Sequence, residues 1–82
     1  MYLEFLWNFD PGENVEHIAE HDLTPEDVEN AFDETIKHTR SRSSGRQALF
    51  GVTPDGRVIF VVYEKLDDTV IYVHTAYERE IN

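Results

Sequence analysis

The chain of 82 residues carries 17 acidic side chains against seven lysines and arginines, a formal net charge of −10 at pH 7. This balance opposes binding to nucleic acids and anionic membranes unless the few cations gather in one local patch. The absence of cysteine excludes a disulfide scaffold and a thiolate metal site, and favours a reducing compartment such as the cytoplasm. The longest mostly apolar stretch, residues 58–63, is too short to span a bilayer, so no membrane segment is predicted.

Charges are sorted along this single predicted domain, residues 1–82. Residues 1–36 hold eleven acidic side chains and neither lysine nor arginine, and residues 58–82 hold five acids against two cations. The middle block, residues 37–57, holds five cations against one aspartate. Function depends on whether these cations form a binding site or a surface for ion pairs. The five cations are Lys37, Arg40, Arg42, Arg46 and Arg57.

The N-terminal half predicts one strand followed by two short helices. Side chains alternate over residues 2–7 with the period of a strand. Asp10 and Pro11 then predict a helix start, as a cap and a first helical residue, and Thr24 and Pro25 repeat that signal. Helices this short need a packing surface to persist. The residues predicted to face that surface are Val15, Ile18, Ala19, Leu23, Val28, Ala31 and Phe32.

The C-terminal half predicts three strands after a flexible loop. Residues 34–45 have no regular period, and serines and a glycine mark them as a loop. Strands are predicted over residues 47–53, 57–65 and 69–77. The middle strand is apolar on both faces, so we expect it to be central. The resulting order is β-α-α-β-β-β, an α+β domain with two short helices packed on an antiparallel sheet.

Three-residue turns at 54–56 and 66–68 fix the expected register of these strands. In that register the helices cover the face that contains Phe50, Phe60 and His74, and the opposite face stays open. A slip by one residue would exchange the two faces. The expected cross-strand neighbours are Arg46 and Glu64, Phe60 and His74, and Arg57 and Tyr77.

Several segments match a known family in order and spacing. They are Phe9-Asp10-Pro11, residues 14–21 (NVEHIAEH), residues 23–28 (LTPEDV), Gly45-Arg46, Gly51-Val52-Thr53, Asp55-Gly56-Arg57, Val61-Val62-Tyr63 and Thr75-Ala76. On these segments the chain resembles the BrnT family over nearly its whole length. The resemblance implies a RelE-like fold and a ribonuclease toxin of a type II toxin–antitoxin system. It also implies an RNA substrate and a BrnA-type antitoxin as protein partner.

The chain departs from the family at three positions. Glu13 and Glu20 stand where the family usually has lysine, and Tyr77 stands where it has arginine. Each lost phosphate contact weakens RNA affinity and its salt dependence. Two hypotheses therefore stay open. One is a metal-independent RNA endonuclease held inactive by an antitoxin, and the other is a non-catalytic acidic protein-interaction domain with the same fold.

RNA cleavage by the neighbouring 2′-hydroxyl needs a base, an acid and a cation on the phosphate. Arg57 and Arg46 are the candidate phosphate ligands, and Glu64 and His74 are the candidate proton-transfer groups. The structural alternatives are a solvated strand-end arginine at Arg57 and a surface ion pair between Arg46 and Glu64. For His74 the alternative is a hydrogen-bonded core histidine.

Four further side chains are candidates for binding RNA or a protein partner. Arg40 and Arg42, on the predicted loop, can contact RNA or an acidic partner, or neutralise the acidic helices. Tyr63 and Tyr77 can stack on bases or pack within the sheet. His17 and His21 have metal-competent spacing but lack a third defined ligand, so neither a metal nor another cofactor is predicted.

Overall fold

The computed structural model describes residues 3–81, so Tyr2, in the predicted first strand, lies outside the described residues. Within this range five strands form one mixed sheet, with two short helices on one of its faces. The strand order is β1-β5-β4-β3-β2, in which β1 runs parallel to β5 and the other neighbours are antiparallel. The elements are β1 (Glu4–Leu6), α1 (Asn14–Ala19), α2 (Pro25–Asp33), β2 (Thr35–Arg40), β3 (Gln47–Val52), β4 (Val58–Lys65) and β5 (Val70–Glu78).

The α+β class, the two helices and the central place of β4 are confirmed, and two features of the predicted topology are wrong. The predicted loop contains an additional strand, β2, so the order is β-α-α-β-β-β-β. The sheet is mixed because β1 pairs in parallel with β5. The segment TIKHTR favours extended backbone through Thr35, Ile36 and Thr39. As an edge strand, β2 exposes most of its side chains, which is why it lacks a clear apolar period.

The start of α2 is the one predicted from the sequence. The Oγ1 atom of Thr24 accepts a hydrogen bond from the Asp27 amide at 3.2 Å. The Asp27 carboxylate accepts one from the Thr24 amide at 3.0 Å, which completes a capping box. Both α1 and α2 are short, and no helix in residues 3–81 is long and apolar enough to cross a membrane.

The start of α1 was predicted wrongly, because residues 10–13 form a turn and the helix begins at Asn14. Gly12 has a φ of +82°, which no α-helix contains. The Asn14 side chain, which is buried, then fixes the helix to the sheet. Its amide group donates to the carbonyl of Leu6 at 2.9 Å and to that of Val73 at 3.0 Å. Its oxygen accepts from the Asn8 amide at 2.8 Å.

The β3–β4 register is the predicted one, whereas the β4–β5 register is not. Phe50 lies opposite Phe60 as expected. Phe60, however, lies opposite Tyr77 rather than His74. The turn is one residue later than predicted, since the Leu66 amide bonds the Val70 carbonyl at 3.0 Å. A bulge in β5 adds one residue, His74, between the partners of Val62 and Tyr63, so neither predicted neighbour pair across β4 and β5 forms.

The helices cover the face opposite to the predicted one. Residue Gly51 explains why, since a Cβ atom there would lie 2.2 Å from the Ala31 carbonyl oxygen and α2 passes directly over it. Both faces of β3 and β4 are apolar, so the alternation alone did not decide between them. The core under the helices contains Ile18, Leu23, Val28, Ala31, Leu49, Ile59, Val61, Tyr63, Ile71, Val73 and Ala76. The second cluster, on the face without helices, contains Ala48, Phe50, Phe60 and Val62, with Val58 and Tyr77 beside it.

Candidate functional site

A cleft of about 350 Å³ lies on the face of the sheet that has no helices, and we call it the outer-face cleft. Strand β2 and the loop after it form one wall, and the end of β5 forms the other. The rings of β3 and β4 lie between these walls. The lining residues are Lys37, Thr39, Arg40, Ser41, Arg42, Ser43, Phe50, Phe60, Tyr77 and Arg79.

Aromatic rings form the floor of the outer-face cleft. The ring centroids of Phe50 and Phe60 are 5.0 Å apart, and that of Tyr77 lies 5.7 Å from Phe60. Phe50 and Phe60 are 6% and 3% exposed. The guanidinium of Arg79 lies over both rings, with its central carbon 4.7 Å from the Phe60 centroid and 5.5 Å from that of Phe50. The floor is therefore a packed cluster on which a cation rests.

Four cations surround this floor: Lys37, Arg40, Arg42 and Arg79. Among residues 3–81, none of them has a carboxylate oxygen within 4.0 Å. Arg40 donates one hydrogen bond, from Nη1 to the Gly45 carbonyl at 3.1 Å, which holds its side chain along the loop. The positive charge of the cleft is thus not cancelled by direct ion pairs with the part of the chain that the structure describes.

Arg57, predicted as a phosphate ligand, lies in a network of aspartates and is far from Tyr77 in register. Its Nε atom bonds Asp55 at 3.0 Å and its Nη2 lies 3.4 Å from the Asp27 carboxylate. Its Nη1 donates to the Asp22 carbonyl at 3.0 Å. Asp55 is the main cause that raises the pKa of Arg57. Hydrogen bonds from the Thr53 hydroxyl, the larger cause, and from Arg57 lower the pKa of Asp55. Arg57 therefore joins the β3–β4 turn to the helices.

Arg46 and Glu64, expected as a cross-strand pair, line a separate shallow pocket but form no ion pair with each other. Glu64 instead contacts His74, with Oε1 3.2 Å from Nε2. His74 was expected to face the helices together with Phe60, and it lies on the outer face because the helices cover the opposite face of the sheet. Its ring stands edge-on to Tyr72, with centroids 4.9 Å apart. The structure therefore pairs Glu64 with His74.

Tyr63, expected on the open face, lies under the helices because the two faces are exchanged. Its side chain is 5% exposed and packs edge-to-face on Phe32, with ring centroids 4.9 Å apart. Burial raises the pKa of its hydroxyl. In this position the ring of Tyr63 has no face free for a base.

Of the predicted residues, the structure brings Arg40, Arg42 and Tyr77 together in the outer-face cleft. The Glu64–His74 pair shares this face but lies four residues along β4 from Phe60, roughly 13 Å at the rise of a strand. Sequence reasoning missed Arg79, although its spacing of two from Tyr77 places both side chains on one face of a strand. Lys37 was predicted only as one cation of the middle block, and the lining residues that sequence reasoning missed are Thr39, Ser41, Ser43, Phe50 and Phe60.

No protein-family model matches this chain, and no curated protein is significantly similar to it in sequence. The resemblance to the BrnT family therefore stays a prediction carried by the segments quoted above. No group of three or more metal-ligating side chains comes together within residues 3–81. The chemistry of the outer-face cleft is the remaining basis for a functional proposal.

Proposed function

We propose that the outer-face cleft binds RNA and that the protein is a BrnT-like toxin of a type II toxin–antitoxin system. In this proposal it is a metal-independent RNA endonuclease, held inactive by an antitoxin. The observation that carries the proposal is the group of four cations without carboxylate partners within residues 3–81, placed around an aromatic floor. Cations bind the phosphates of a nucleic acid and rings bind its bases.

The departures from the family pattern leave the cleft positively charged. Tyr77 replaces a family arginine, but Arg79 lies two residues further along and lines the same cleft. Glu13 and Glu20 flank α1 as its N-cap and C-cap, and neither lines the cleft. The negative charge added at these two positions therefore lies outside the lining of the cleft. This arrangement favours the RNA-binding hypothesis over an acidic interaction domain.

Cleavage requires a base for the 2′-hydroxyl, and the Glu64–His74 pair supplies the candidate. When His74 donates its Nε2 proton to Glu64, Nδ1 is left as an acceptor. Nδ1 then takes the proton of the 2′-hydroxyl, whose oxygen attacks the adjacent phosphorus; the bond from phosphorus to the 5′-oxygen breaks, and that oxygen takes a proton from water. The cations of the cleft take the phosphate-binding role first assigned to Arg57 and Arg46, and hold phosphates of neighbouring nucleotides while the scissile phosphate lies at His74.

The salt dependence of RNA binding tests the cleft. Each phosphate contact on a single strand contributes about −0.7 to the slope of log K against log salt, so four contacts predict a slope of about −3. The double variant Arg40→Ala/Arg42→Ala should reduce that slope by about 1.4. Lys65→Ala is the matched control, because Lys65 is an exposed cation outside the cleft. Equal effects of the double variant and the control would contradict the proposal.

Cleavage is tested by incubating purified protein with RNA and by inducing its expression in a bacterial host. The wild type should degrade RNA and arrest growth, and His74→Ala should bind RNA normally without cleaving it. His38→Ala is the control, since His38 is an exposed histidine on the edge strand β2. Salt-dependent binding with intact RNA in the wild type would instead indicate a non-catalytic domain.

A further inference from the structure

We infer that Arg79 is a stacking site for one unpaired nucleobase in the outer-face cleft, which makes it a residue that selects single-stranded RNA. This inference rests on the proposed function and names the form of RNA that the site takes. The observations that carry it are the position of the Arg79 guanidinium over two buried rings and its place in the lining of the cleft.

Two aromatic rings cover one face of the Arg79 guanidinium and hold the group in position. The Phe60 and Phe50 centroids lie 4.7 and 5.5 Å from its central carbon. Both rings are nearly fully buried and contact each other, so they cannot swing away from the cation. Arg79 itself is an exposed residue that lines the cleft. A guanidinium is planar, so its second face is left to the cleft.

A flat, weakly hydrated guanidinium face is a surface on which bases stack. The N–H groups at its edge lie in the same plane and remain able to donate to a neighbouring phosphate. Within residues 3–81 no carboxylate pairs with Arg79 and draws it from this position. The bases of a duplex are already stacked on each other and do not expose their faces. The geometry therefore selects an unpaired nucleotide, with Lys37 and Arg42 on the cleft wall for the flanking phosphates.

An acidic protein segment would satisfy the cations of the cleft equally well, but it brings carboxylates and no flat aromatic surface for Arg79. The floor of buried rings below the cation would then have no part in recognition. The stacked arrangement is what favours a nucleobase over a carboxylate.

The test compares an oligouridylate with an abasic strand of equal length and charge. Because their phosphates are the same, any difference in Kd reports the base alone. Stacking predicts that the wild type prefers the oligouridylate by roughly 5- to 150-fold. Arg79→Lys keeps the positive charge but removes the planar guanidinium. The ratio of the two Kd values should therefore fall towards one, while the slope of log K against log salt stays unchanged. Arg42→Lys, the same change at a cation that has no aromatic ring beneath it within residues 3–81, should keep the preference.

Each other outcome overturns the inference in a distinguishable way. A wild type that binds both strands equally, with the expected salt slope, leaves RNA binding intact and removes the stacking site. An Arg79→Lys variant that keeps the full preference for the oligouridylate would likewise remove the stacking site. A polyglutamate peptide that competes as well as oligouridylate would mark the cleft as a site for acidic protein segments. If the wild type binds neither strand, the proposed function itself fails.

A second variant keeps the test decisive if Arg79→Lys does not fold, since Arg79 also covers apolar rings. Arg79→Gln keeps a planar group and loses the charge. It should retain part of the preference for the base while its salt slope weakens by about 0.7. If Arg79→Lys lowers the thermal midpoint strongly, Arg79→Gln decides instead, and a complete loss of preference in that variant would count against stacking on the planar face.

Discussion

Replacing Gly51 by alanine tests which face of the sheet the helices cover. The added Cβ atom would lie 2.2 Å from the Ala31 carbonyl oxygen and 2.7 Å from the Ala31 Cβ. Both neighbours belong to the backbone or are fixed to it, so no side-chain rotation relieves the clash and α2 must move by about 1 Å to restore ordinary contact. The hydrogen bond from Asn30 to the Val52 carbonyl, 2.8 Å long, holds α2 at the same place and would lengthen.

The expected cost of Gly51→Ala combines these effects. Overpacking a filled core costs about 1–3 kcal/mol, and weakening one hydrogen bond adds about 1 kcal/mol. The smaller entropy of the unfolded chain returns about 0.4–1 kcal/mol. The net loss therefore lies in the range of about 1–3.6 kcal/mol, and its centre of about 2.3 kcal/mol corresponds to a fall in thermal midpoint of roughly 10–20 °C for a domain of this size.

Thermal and urea unfolding, followed by circular dichroism, measure this loss. Gly45→Ala is the control, because a Cβ atom there meets nothing within 4 Å and only its positive φ of +74° adds a cost. That control should lose about 1–2 kcal/mol, less than Gly51→Ala. A midpoint of Gly51→Ala that is unchanged or raised would refute the reasoning, since it would mean that α2 does not cross Gly51. The helices would then cover the Phe50–Phe60 face.

Two further predictions concern contacts between distant parts of the chain. Asn14→Ala should lower the free energy of unfolding by about 2–4 kcal/mol, because the Leu6 and Val73 carbonyls lose their side-chain donor inside the protein; a urea midpoint shift worth less than ~1 kcal/mol would contradict this. The pKa of Asp55 is lower in the folded chain than its unfolded value of 3.8, so the ionised carboxylate stabilises the fold. This contribution is fully present at a pH above 3.8 and is lost as the pH falls through the folded pKa. Asp55→Asn should therefore reduce stability at neutral pH and flatten its decline below about pH 4, whereas parallel acid profiles of wild type and variant would exclude the role given to the Asp55–Arg57 contact.

Local signals in the sequence predicted the elements that are fixed locally. The start of α2 follows from Thr24 and Asp27, which cap the helix by themselves. The three-residue turn after Thr53 sets the β3–β4 register, because the Thr53 amide bonds the Arg57 carbonyl at 2.9 Å. The central position of β4 follows from its apolar residues on both faces. Each of these features depends on neighbours in the chain or on burial alone.

The features that the sequence did not predict depend on contacts between distant residues. Nothing in the alternation of β5 marks His74 as a bulge, yet that one residue shifts the β4–β5 register and puts Tyr77 on the same face as Phe60. The partners of Arg57 include Asp22 and Asp27, about thirty positions away, so its role followed only from the folded chain. Gly51 carried the one readable signal for the helix face, a residue without a side chain between apolar neighbours on a strand.

The charge sorting of the sequence takes on a definite meaning in this fold. Arg57 is used for ion pairs beside the acidic helices, whereas Lys37, Arg40 and Arg42 lie on the other side of the sheet, where Arg79 joins them. Duplex nucleic acid carries twice the charge per unit length of a single strand, so a protein of net charge −10 repels a duplex more strongly. Salt at physiological strength screens charges beyond ~8 Å, so a strand lying in the cleft is affected mainly by its cations. An unpaired strand therefore brings less charge to the protein than a duplex does, and it is the same form of RNA that the proposed stacking on Arg79 requires.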